Sequence, residues 1–163
     1  MSEFKVTSPE FKDGDKLSDS FRHDQDNASP ELRWEGAPKG TGSFAVAMHD
    51  KDAPTGGAGW WHWMVVGIPA GATGLARDAG AVLGKNLPQG AFQMENDGGE
   101  RAYMGCYPPK QDAPHEYKFT VYALPQGFRA QASDAASTSQ MGFIVNAAAL
   151  AKASIKGYYG WPK

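Results

Sequence analysis

Several residues of this chain whose types can do chemistry sit where the backbone pattern turns them inward. His115 and Tyr117 open the apolar run HEYKFTVYAL over 115–124, Asp50 closes the run SFAVAMHD over 43–50, and His62 lies near the start of WWHWMVVGI over 60–68. Side chains alternate between the two faces of a strand. On that rule His115, Tyr117, Phe119 and Val121 share one face, and Glu116, Lys118 and Thr120 share the other, which reads as solvent. Phe44, Val46, Met48 and Asp50 share the apolar face of their strand, and His62 falls in line with Met64 and Val66. A carboxylate on an apolar face needs partners, because an unpaired buried charge is costly. Three strands thus each carry an ionisable group on an apolar face near one end, and if those ends meet they form a pocket. Histidine changes charge close to neutral pH. A protonated imidazole gives a phosphate oxygen a charge-assisted hydrogen bond, Tyr117 adds a hydroxyl donor, and Asp50 orients or charges a histidine or accepts from an ammonium group. That chemistry is the binding of a small anion.

The neighbouring residues fit the same picture. Asp52 lies beside Asp50 in Asp50-Lys51-Asp52-Ala53-Pro54, and the glycine-rich loop Thr55–Gly59 leads into Trp60-Trp61-His62-Trp63. Pro108-Pro109 stiffens the chain ahead of His115. The same three groups, Asp50, His62 and His115, also match the composition of a 2-His-1-carboxylate metal site or of a metal-free acid–base pair acting on a phosphoester. Other motifs fail. Gly80, Gly84, Lys85 and Asn86 lack the spacing and the Ser or Thr of a phosphate loop, and there is neither a G-x-S-x-G elbow nor an H-E-x-x-H run. Trp34, Trp60, Trp61 and Trp63 read as core or rim packing, Cys106 as an inert half-buried thiol, and His23 and His49 as surface residues.

The elements that must position these groups are mostly strands. The chain has 163 residues, 41% hydrophobic and 21% charged, which suits one domain with one core. Its 20 Gly and 11 Pro are scattered as turns, which favours β structure over a helix bundle. Strands are expected over 3–7, 32–34, 43–50, 60–68 and 115–124, with turns at Asp13-Gly14 and Asn96–Gly99 and a loop-like stretch over 78–94. The Ala-rich stretch 140–153 reads as a helix capped by Ser137 or Ser139, and Gly157–Trp161 as a short strand or extended end. A net charge of −2 provides no basic stripe for nucleic acid. The charged start MSEFKVTSPE is not a signal peptide, no apolar run approaches a membrane span, and the single cysteine excludes an internal disulfide, so a cytoplasmic protein is expected.

The run D-x-D-A-P over 50–54, then W-x-H-W over 60–63, then P-P-K at 108–110 followed by H-x-Y at 115–117, resembles the phosphatidylethanolamine-binding protein family, in particular its bacterial Raf-kinase-inhibitor-like branch. Phe11, Asp13-Gly14, Asn27, Ser29-Pro30, Leu32, Trp34, Pro38 and Ser43, together with the Ala149–Tyr158 ending, extend the resemblance over nearly the whole chain. It implies a two-sheet antiparallel β-sandwich with a C-terminal α-helix and a small pocket at one edge. Carried over by position, the ligand-binding residues are Asp50, Asp52, Ala53, His62, Pro108, Pro109, His115 and Tyr117, with Ala53-Pro54 a candidate cis peptide. The sequence departs from the family at Trp61, where many members have His, at Lys51, which stands in the place of a Pro, and at Tyr107, which narrows the pocket mouth. The expected function is a regulatory, non-enzymatic module without a cofactor. It would hold a small anionic ligand, phosphate or a phosphorylethanolamine-like head group. A protein partner held at the pocket rim, as by a kinase or protease inhibitor, is the alternative by analogy. The tail helix and exposed aromatics are compatible with a homodimer.

Overall fold

A computed structural model describes residues 3–162 of the chain. Eight strands and one α-helix follow in the order β1 (Lys5–Thr7), β2 (Leu32–Glu35), β3 (Thr41–Asp50), β4 (Trp60–Pro69), β5 (Gly74–Leu75), β6 (Phe92–Gln93), β7 (His115–Pro125), α1 (Thr138–Ala148) and β8 (Ala151–Tyr159), with three single-turn 3-10 helices between them. They form two antiparallel sheets, β1-β2-β5 and β6-β4-β3-β7-β8. The expected all-β domain of two sheets with a late helix is the fold observed.

Period-two patterning explains the layers. Val6 and Trp34 of the small sheet meet Phe44, Val46, Met48, Trp63, Val65, Phe119, Val121 and Ile155 of the large one in the main core. Burying side chains of this size contributes about 1.5–3 kcal/mol each. The opposite face of the large sheet, Ala45, Ala47, Met64, Val66, Tyr122 and Leu124, is covered by Met141 and Val145 of α1. That second cluster corrects the expectation that the Glu116-Lys118-Thr120 face is solvent. Lys118 is exposed, but Thr120 is buried, bonded to Ser154 at 3.0 Å, and α1 lies over the residues that follow. Gly142 lets the helix seat on Trp61, since a Cβ there would come within 2.8 Å of the indole.

The chain end differs from its sequence reading too. Ser137 caps α1 as expected, accepting the Gln140 N–H at 3.1 Å. The helix stops at Ala148, however, and 151–159 is a full strand along β7 rather than the end of a helix over 140–153. Ala149 is already extended, and Ile155, Gly157 and Tyr159 then alternate inward with Lys152, Ser154 and Lys156 outward. Nine residues of pairing with β7 outweigh the helix propensity of the alanines, which tertiary context readily overrides.

Two irregularities matter for the site. The β3–β4 register slips between Met48, opposite Trp63, and His49, opposite Trp61, so His62 is the extra residue of a β-bulge. A second slip surrounds Gly67, whose φ of 77° suits glycine. The Ala53–Pro54 peptide is trans, not cis as the resemblance implied. The chain reverses instead through the positive φ of Gly56, Gly57 and Gly59.

Candidate functional site

The ends of β3, β4 and β7 enclose a cavity of about 250 Å³ together with the β3–β4 loop and the segment 104–109. Its walls include Asp50, Ala53, Trp60, His62, Met104, Tyr107, Pro108, Pro109, His115 and Tyr117. Larger open hollows of about 760 and 480 Å³ lie elsewhere, over β2 and the 71–76 turn and beside the 82–87 turns, and gather no buried ionisable group.

His62 reaches the cavity because of the bulge. Strict alternation would put it with Met64 and Val66 under α1. The extra residue turns it to the main-core side, where its ring meets Tyr117 edge-on at 5.3 Å between centroids. Its Nδ1 lies 2.7 Å from the Met104 carbonyl. A carbonyl only accepts, so Nδ1 carries the proton and Nε2 is a bare lone pair. Burial pushes the His62 pKa down to about 4, only partly offset by the Met104 bond and the charge of Asp50. His62 is therefore neutral at pH 7. Of the two states open to a histidine near neutral pH, this one takes the neutral form and offers the cavity an acceptor.

His115 is the opposite case. Nδ1 lies 2.7 Å from Asp50 Oδ2 and Nε2 2.8 Å from Asp112 Oδ2. With a carboxylate at each nitrogen the ring donates from both. Burial opposes its charge, but the hydrogen bonds to Asp50 and then Asp112 prevail and hold its pKa above the ordinary value. Asp50 accepts the Asp52 N–H on its other oxygen at 2.8 Å, which satisfies a carboxylate that is only 4% exposed.

Tyr117 is wholly buried, and among the described residues its hydroxyl is the buried side-chain polar atom that meets no partner at hydrogen-bonding geometry, although it lies beside the Asp50 carboxylate, which acts on it by contact as well as by charge. Burial, and then the nearby negative charge of Asp50, drives its pKa far up, so it stays a neutral donor. Such an orphan costs about 1–3 kcal/mol unless something binds it.

Other predicted residues take supporting places. Asp52 does not line the cavity. It accepts the Glu116 N–H at 2.8 Å and Lys51 at 3.1 Å, tying the β3–β4 loop to β7, and the Glu116 bond holds its carboxyl below the usual range. Lys51 adds a contact within the loop beside that tie. Tyr107, 47% exposed, stands at the mouth against Trp161, whose indole N–H donates to the Pro108 carbonyl at 2.8 Å. Cys106 is buried, and burial pushes its thiol up to about 12. Gly105 is needed where it stands, because a Cβ would come within 1.9 Å of the Phe21 carbonyl.

Three contributors escaped the sequence reading. The Met104 carbonyl that fixes the His62 tautomer comes from a remote segment with no local signal. His23, exposed as a surface residue should be, also lines the mouth. Asp112 lies three residues before His115, a spacing at which a turn brings the two side chains together, and that signal was readable. Among the described residues no group of three or more His, Cys, Asp or Glu is disposed to hold a metal ion. The metal alternative does not fit the arrangement, since three of the four imidazole nitrogens of His62 and His115 are already engaged.

The arrangement is a two-sheet sandwich with a pocket at the ends of three strands of its larger sheet. The sequence profile described as phosphatidylethanolamine-binding protein matches residues 7–160, and the chain belongs to that family. It is 45% identical over 161 residues to UPF0098 protein YbcL of Escherichia coli, covering 96% of this chain and 87% of that one. It is 41% identical over 160 residues to UPF0098 protein YbhB of the same organism, covering 95% and 99%. The crystal structure of E. coli YbcL, described as a new member of the mammalian PEBP family, superposes with a TM-score of 0.93 at 44% identity, over 99% of this chain and 100% of that one. Among the described residues no helix is long and apolar enough to cross a membrane.

Proposed function

We propose that the pocket binds a small phosphate-bearing ligand, a free phosphomonoester or a phospholipid head group, as its singly protonated monoanion, in a regulatory and non-catalytic role. One observation carries this reading: two residues of one cavity wall, Tyr117 and neutral His62, each keep a side-chain polar atom, the Tyr117 hydroxyl and His62 Nε2, that has no hydrogen-bond partner among the described residues. A dianion offers only acceptors, which His62 would repel. A monoanion has one P–OH to give to His62 and oxygens to receive from Tyr117. His115, held in place by Asp50, supplies a cationic N–H donor for a ligand oxygen. A cytoplasmic location belongs to the same proposal.

Tyr117→Phe tests it. The substitution removes a hydroxyl with no partner, so the free protein should be as stable as the parent or slightly more so. Affinity for phosphorylethanolamine, read by calorimetry, should fall about tenfold, the worth of one hydrogen bond to a charged group. A parallel titration with inorganic phosphate and co-sedimentation with phosphatidylethanolamine vesicles separate a free phosphate from a lipid head group. Unchanged affinity in Tyr117→Phe would remove the observation on which the reading rests.

A further inference from the structure

The two carboxylates that flank His115 are not equivalent. Asp50 is 4% exposed, ends a central strand, and holds the Asp52 N–H as well as the imidazole. Asp112 is 30% exposed. It ends a surface turn closed by its own N–H to the Pro109 carbonyl at 3.0 Å. Among the described residues its carboxylate has one hydrogen bond, to His115 Nε2 at 2.8 Å. Asp50 is built in; Asp112 reaches in from a turn and can leave by rotating one side chain.

Charge points the same way. Asp50 and His115 cancel, and Asp112 then leaves the site with one excess negative charge. That charge opposes the approach of any anion. Yet the bond Asp112 makes is the bond an oxyanion would make: an oxygen of a singly charged group accepting from an imidazolium N–H.

We propose that Asp112 is an internal competitor: its carboxylate occupies the oxyanion position on His115 Nε2 and swings out when an anionic ligand takes that bond. The proposal rests on the phosphate-binding reading above and adds the residue that sets its affinity. A tethered carboxylate is present at a high effective concentration, so a weak oxyanion such as acetate fails to displace it. A ligand that also engages His62 and Tyr117 succeeds. Asp112 is thereby a selectivity filter, rejecting anions that bring one contact and admitting those that bring three.

The test compares the parent chain with Asp112→Ala at pH 6, following the ring nitrogen signals of His115 by NMR during titration with sodium acetate, inorganic phosphate and phosphorylethanolamine. Asp112→Ala should bind inorganic phosphate about tenfold tighter, since one charge-assisted hydrogen bond no longer has to be broken. Acetate, which returns the deleted carboxylate as a free ion, should shift His115 Nε2 saturably in the variant and at least about tenfold more weakly in the parent. Asp112→Asn, which keeps an acceptor on the turn without the charge, should fall between the two and serves if the alanine variant does not fold. Phosphate binding in the parent with equal or weaker binding in both variants would overturn the competitor role and leave the binding reading standing. No phosphate binding in any of the three would overturn both.

Discussion

Asp50→Ala is expected to lower the free energy of unfolding by about 3 kcal/mol at pH 6, the low end of the cost of breaking a buried ion pair. The loss has two sources. The His115 imidazolium, 2% exposed, would keep only Asp112, and the Asp52 N–H would lose its acceptor. The low end applies because Asp112 still faces Nε2. The effect should depend on pH with a definite sign. The folded-state pKa of His115 is raised, so its pairing with Asp50 contributes fully below the unfolded value of about 6.5 and is lost as pH rises through the folded value. Urea unfolding at pH 6 and pH 9 should therefore give a larger difference between parent and variant at pH 6. A loss under about 1 kcal/mol at pH 6, the scale of an exposed ion pair, would mean that the pair is not buried and charged as described.

The second large effect is on binding. A phosphomonoester has its second pKa near 6, so between pH 8 and pH 5.5 the monoanion rises from about 1% of the ligand to about three quarters. His62, with its pKa near 4, stays a neutral acceptor across that range, and His115 keeps or gains its charge. Phosphorylethanolamine should accordingly bind at least about tenfold more tightly at pH 5.5 than at pH 8, measured by calorimetry in buffers of equal ionic strength. Below pH 4 the trend should reverse, because protonated His62 no longer accepts. Affinity that is flat, or that rises with pH, would show that the dianion binds and that His62 is not the acceptor for the ligand's proton.

Alternation alone located much of this site. Asp50 follows Phe44, Val46 and Met48, and His115 and Tyr117 precede Phe119 and Val121, because β3 and β7 pair without a slip from Ser43 opposite Leu124 to Asp50 opposite Tyr117. His62 reached the expected place by a route that alternation does not contain. A bulge inside a run of aromatics turned it away from Met64 and Val66, and no glycine or proline at 61–63 marks that bulge. The protonation state of His62 was hidden for a similar reason, since the carbonyl that sets it belongs to Met104, far along the chain. The tail failed differently. The alternation of Ile155, Gly157 and Tyr159 was present in the sequence, but the alanines around it also suit a helix, and only the presence of β7 alongside decides between them. Ala53-Pro54 shows the limit of a family pattern, because this chain makes the same turn with a trans bond and three glycines in the left-handed region.

The state of His62 is the point on which the account turns, and long-range nitrogen NMR reads it directly. In the free protein at pH 6, His62 should show the neutral ring with the proton on Nδ1, and phosphorylethanolamine should shift Nε2 saturably while Nδ1 stays bonded to Met104. A cationic His62 in the free protein, or an Nε2 signal that does not move at millimolar ligand, would contradict the account.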